Sequence, residues 1–265
     1  MYAATLDKIS LLVNLIPQCL RQARDFLIVP DRLHRWCAIV IASVIFILVG
    51  FFVAYAYAEK YNLVDNFFYG KLQFSFIDGG YPELFGYALE IVACALFASF
   101  AWVHAKKQWY AWATILFVTF LDDAFRSHET IGQSFTVWFG VSPVGGDLIG
   151  FAITGILSAV LWCAGIVKVN SEEDLSAYFV FTMYYALMIF FGVGADAIHG
   201  LFGDNMSQTV FTLFEDGGEL VTAAIICLSA LGMWLREKQR TINILEKYAV
   251  SKQDNHGASA TRKTF

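Results

Sequence analysis

Charge is what this sequence has least of: Asp, Glu, Lys and Arg make up 15% of its 265 residues, against 58% hydrophobic residues. With a mean hydropathy of +0.57, that scarcity excludes an ordinary soluble domain and implies an integral membrane protein. The five cysteines (Cys19, Cys37, Cys94, Cys163 and Cys227) never fall in CxxC spacing, so neither a zinc knot nor a disulfide framework is expected. The glycine-rich stretch Gly140–Gly150 lacks the Lys-Ser/Thr ending of a phosphate loop and reads as a plain connection. No lysine sits in the middle of an apolar run, which disfavours a retinal-type pigment. Residues 1–30 have no basic n-region followed by a short apolar core, so no removable signal peptide is expected and the first span reads as an uncleaved insertion signal. Nothing supports nucleic-acid binding.

What is present is six apolar runs at roughly 36–58, 82–104, 109–131, 148–168, 175–200 and 207–235, each near the length of about 20 residues that a helix needs to cross a hydrocarbon core. The expected fold is all-α: a polytopic transmembrane helical bundle of six spans, preceded by an interfacial amphipathic helix. Residues 1–32 form that cytoplasmic segment, 33–240 the membrane domain and 241–265 a cytoplasmic, partly disordered tail. Basic residues gather in one set of connections, at Arg32 and Arg35, Lys106 and Lys107, Lys168, and Arg236, Lys238 and Arg240. Basic loops stay cytoplasmic, so both termini are expected inside, in the cell membrane (the inner membrane of a bacterial cell).

This orientation gathers acids from several helices near the outer face. "FLDDAFRSHETIG" ends the third run; "GVGADAIHG" ends the fifth; "FEDGGEL" opens the sixth; and "YPELFGYALE" in the second offers Glu83, Tyr87 and Glu90 at helical spacing. Ionisable residues inside a membrane cost about 2.5–3.5 kcal/mol each on insertion scales and mark function by default. If 109–131 is one helix, Asp122 and Glu129 lie within about 20° of each other with Arg126 between them. Asp196 and His199 are an i, i+3 pair able to touch one ion, and Glu215 and Glu219 share a face at i, i+4.

Histidines among carboxylates suit Fe, Mn or Zn. The expected metal ligands are therefore Asp122, His128, Glu129, Asp196, His199, Glu215 and Glu219, holding a divalent metal, with Asp123 as proton acceptor and Arg126 as counter-charge in catalysis. A metal-dependent hydrolase or oxidoreductase acting on a lipid-borne or small hydrophobic substrate is one reading. The others are a divalent-cation or proton-coupled transporter or sensor, and a structural membrane subunit, alone, as a homo-oligomer or within a membrane complex. His34, His104 and His256 fit interface or tail positions, and "SEED" reads as Ser171 capping the fifth span. The orientation is open to a direct check. A reporter fused after Arg240 should read as cytoplasmic, and an external signal would put the acidic residues on the inner face.

Overall fold

The structure is a computed structural model that describes residues 2–77, 79–194 and 208–261, and among these all regular structure is helical. The chain runs through α1 (Tyr2–Leu27), α2 (Arg32–Lys60), a 3-10 turn (Leu72–Phe74), α3 (Tyr81–Val103), α4 (Gln108–Phe125), α5 (Ser127–Phe139), α6 (Pro143–Ile166) and α7 (Glu172–Ile189). A π-helical turn (Phe190–Gly194) follows, and the last helix, α8, spans Gln208–Thr261.

Among the described residues, five segments are long and apolar enough to cross a membrane: Arg32–Lys60, Tyr81–Val103, Leu148–Ile166, Glu172–Gly194 and Thr209–Tyr248. The third expected span is not among them. The run 109–131 is not one helix, because α4 closes at Phe125 and Arg126 takes a left-handed backbone, φ 51°, before α5 starts afresh. Its end is too polar to propagate as lipid-facing helix: the backbone N–H of Arg126 turns back to the carbonyls of Asp122 and Asp123, and the Asp122 carboxylate serves the next helix instead. The 18 residues of α4 lie in the middle of the bundle, with Trp109, Trp112, Ile115 and Leu116 almost wholly buried.

The core is aromatic. Phe97 of α3 stacks on Trp109 of α4 at 5.6 Å, and Phe181 of α7 meets Phe97 edge-on at 4.7 Å. Tyr178 lies 5.4 Å from Trp112 and donates to the Trp162 carbonyl of α6 at 2.9 Å. Rings of this size bury large apolar area and add about 0.5–1.5 kcal/mol per well-placed pair. By contrast α2, the most apolar helix, is peripheral: Trp36, Ile39, Val40, Phe46 and Ile47 all face outward. Its N-terminal end is anchored by Asp31, which accepts from the N–H groups of Leu33 and His34. His34, expected at an interface, is instead 2% exposed and hydrogen-bonds the Leu228 carbonyl of α8 through Nε2 at 3.2 Å.

The expected cap at "SEED" is present, with Ser171 Oγ accepting from the Asp174 N–H at 3.1 Å. The surrounding end of the bundle carries an ion-pair belt of Lys106 with Asp174, Arg240 with Glu173 and Arg236 with Asp25. Burial works against ionising Asp25, but Arg236 and Arg24 outweigh it and hold the carboxyl below its usual range. Gln22 of α1 joins this end to α7, donating to the Glu173 carbonyl and accepting from Ser176. The chain after Arg240, expected as a partly disordered tail, continues α8 to Thr261. Its sequence through Lys247 is rich in strong helix formers, and Gln239 bonds Asn243 one turn on.

The short α5 is pressed antiparallel onto α6 at Gly150, where a Cβ would collide with the backbone carbonyl of His128. Gly150→Ala should therefore lower thermal stability by an amount in the overpacking range, about 1–3 kcal/mol. Gly155→Ala, one turn and a half along the same helix with open space around it, should be neutral or slightly stabilising. Equal melting temperatures for the two variants would contradict this packing.

Candidate functional site

At the end of the bundle opposite the ion-pair belt lies a cavity of about 440 Å³. Its walls come from α3, α4, α5, α6, α7, the π-helical turn and α8. Glu83, Glu90, Asp122, Asp123, Glu129, Glu215, Asp216 and Glu219 line it, against Arg126 and His128 as the only basic side chains among the described residues. Acids from α3, α4, α5 and α8 thus share one cavity.

The roles within the layer differ from those expected. Asp122 Oδ1 accepts the His128 backbone N–H at 2.8 Å and so caps the start of α5, where the residue at the cap position, Arg126, offers no side-chain acceptor. Asp122 and Glu129 share no continuous helical face, since the chain breaks between them. Arg126 pairs with Glu129, its Nε donating to Oε1 at 2.8 Å, and both are partly exposed at the mouth. The His128 ring stacks on Phe151 with centroids 4.0 Å apart. Its Nδ1 is 3.4 Å from Asp122 Oδ1, an ion-pair distance, and makes no hydrogen bond.

Three of the lining carboxyl groups come from three different helices: Glu90 of α3, Asp123 of α4 and Glu219 of α8. Glu90 is 4% exposed, and no N–H or O–H donor among the described residues reaches its Oε2. Among the described residues no lysine or arginine forms an ion pair with any of the three. Around them, Tyr87 donates to Glu83 at 3.1 Å and sits 3.2 Å from the Asp123 carbonyl. Tyr185 touches Thr119 at 3.0 Å and Ser158 at 3.3 Å on the cavity floor.

Glu219 owes its position to Gly192 in the π-helical turn, where a Cβ would occupy the place of Glu219 Oε1. One-turn π segments of this kind often accompany functional sites. Asp196 and His199, expected as metal ligands, lie outside the described residues. Among the described residues no three His, Cys, Asp or Glu side chains are placed to share one metal ion, so the expected shell of Asp122, His128, Glu129, Glu215 and Glu219 does not assemble by itself.

Glu90 is the residue that the expected ligand set omitted. Its signal was present: it completes the Glu83, Tyr87, Glu90 face. Only the packing of α3 on both α4 and α8 reveals that this face points inward.

The chain belongs to the family described as Domain of unknown function (DUF8692), whose model matches residues 36–234. The match runs from the first turns of α2 to the middle of α8 and leaves out α1 and the end of α8. No curated protein and no solved structure matches the chain.

The capping geometry separates two substitutions at one position. Asp122→Ala should destabilise the protein by about 1 kcal/mol through loss of the cap, whereas Asp122→Asn, whose amide oxygen still accepts, should cost only a few tenths. Chemical denaturation of the two variants reads the difference. A large loss in both would mean that the charge of Asp122, and not its acceptor oxygen, is what the site uses.

Proposed function

We propose that the protein binds a cation in the carboxyl-lined cavity of a membrane-embedded bundle. The carrying observation is Glu90: a buried carboxyl with an oxygen that no donor among the described residues satisfies, in a cavity it shares with Asp123 and Glu219. A cluster of this kind in a medium of low dielectric needs protons or a positive ligand, and a buried polar atom without a partner is the place where a ligand supplies one.

In this reading the chain crosses the cell membrane six times, with α4 and α5 together making the third crossing around the break at Arg126. Both termini are cytoplasmic and the cavity lies toward the outer face. The aromatic packing of Phe97, Trp109, Trp112, Tyr178 and Phe181 beyond the cavity fills the axis of the bundle, which argues for a closed-ended site and against a through-going channel. A metal-dependent enzyme is the narrower version. It requires Asp196 and His199 to join Glu219, and then a divalent Fe, Mn or Zn ion would polarise its substrate while Asp123 accepts a proton.

Dicyclohexylcarbodiimide reacts with protonated carboxyl groups in apolar surroundings. It should label Glu90 or Asp123 in the detergent-purified protein, as located by mass spectrometry. At least one member of a panel of Zn²⁺, Mn²⁺, Ca²⁺ and alkylammonium ions should slow that labelling, and Glu219→Gln should weaken the protection. Labelling that no cation slows would reject the reading.

A further inference from the structure

We infer that the cation is a lipophilic primary amine, which enters from the bilayer between α6 and α7 and seats its ammonium group among Glu90, Asp123 and Glu219. This rests on the cation-binding reading above and names its ligand class.

The first ground is size. A bare divalent ion draws its oxygen ligands to within about 2.0–2.6 Å, and no such convergence occurs among the described residues. A cavity of about 440 Å³ instead falls within the range of small-molecule sites, about 300–1,000 Å³. The second is the division of its lining. Beside the carboxyls, Phe76, Phe151, Met188, Ile189 and Leu220 supply an apolar remainder. A small hydrated ion has no use for that wall, whereas an alkyl chain does. The third is donor number: a primary ammonium presents three N–H donors and no acceptor, and three carboxyl groups from three helices await it, one with an oxygen that no donor among the described residues reaches.

The entry route follows from how α6 and α7 part. Toward the inner end they are joined by Tyr178 to the Trp162 carbonyl at 2.9 Å and by Trp162 Nε1 to Thr182 at 2.9 Å. Ser158 and Tyr185 still touch at 3.3 Å. One turn further out, Gly155 has no described atom within 4 Å of where its Cβ would stand, and Ile189 across from it is 46% exposed. Both residues line the cavity, so the cavity reaches the lipid-facing surface between the two helices.

The test uses the full chain in detergent micelles, with protection from carbodiimide labelling and calorimetric binding as readouts. The probes are n-octylamine, n-octanol, ethylamine, MnCl₂ and ZnCl₂. Octylamine should protect at least about tenfold better than ethylamine, since burying two or more methylenes is worth that much, and octanol should fail to protect. Glu219→Gln should weaken octylamine binding by about tenfold or more, as expected for a lost charge-assisted hydrogen bond. Gly155→Leu, placed where a Cβ meets no described atom within 4 Å, should slow the onset of protection by octylamine. Protection by a metal ion but not by octylamine would overturn the amine and leave the cation-binding reading standing. Equal protection by octanol would overturn both. Ethylamine matching octylamine would overturn the lipophilic ligand, and an unaltered Gly155→Leu variant would overturn the lateral route.

Discussion

The cost of keeping Glu90, Asp123 and Glu219 together in an apolar bundle is the constraint around which the cavity end of this protein is arranged. Each carboxyl comes from a different helix, so the cluster exists only when α3, α4 and α8 are packed. An unpaired carboxylate in such surroundings is so unfavourable that it takes up a proton or finds a partner. The neighbouring details follow. Gly192 leaves room for the Glu219 carboxylate, Tyr185 joins Thr119 and Ser158 below, and the cationic Arg126 is drawn off by Glu129 at the mouth. The aromatic core deeper in the bundle supplies the stability that such a site gives up, in keeping with the common trade between function and stability.

Much of this was legible in the sequence, for reasons that can be named residue by residue. Apolar run length identified α2, α3, α6, α7 and α8, because hydrocarbon thickness sets a length that few other constraints produce. The serine before Glu172 announced its own cap. The acids of the second, third and sixth runs could be assigned a shared depth, because helical rise and alternating direction fix depth without any knowledge of packing. What failed was the assumption that 109–131 is one rod. Periodicity arguments presume continuity, and a single left-handed residue at Arg126 rotates everything after it out of register, so Asp122 and Glu129 separated and Asp122 became a cap.

Rotational facing was the second limit. His34 reads as an interface histidine from its place at the start of a span, yet it is buried because α2 leans on α8 there. Glu90 sits in the middle of a helix whose apolar residues lie on nearly all sides, so the sequence offers no contrast from which to tell the inward face. In both cases the missing information was a neighbour distant in sequence, which no local pattern contains.

The length of α8 has a mechanical consequence. Glu219 at the cavity and Arg236 in the ion-pair belt are 17 residues apart on one unbroken helix, about 26 Å at 1.5 Å per residue, close to the thickness of the hydrocarbon core. A continuous helix of that length is a stiff rod with no joint between its ends. The carboxyl layer and the belt of Asp25, Glu173, Arg236 and Arg240 are thus two fixtures on a single shaft, and neither can turn or slide without carrying the other with it.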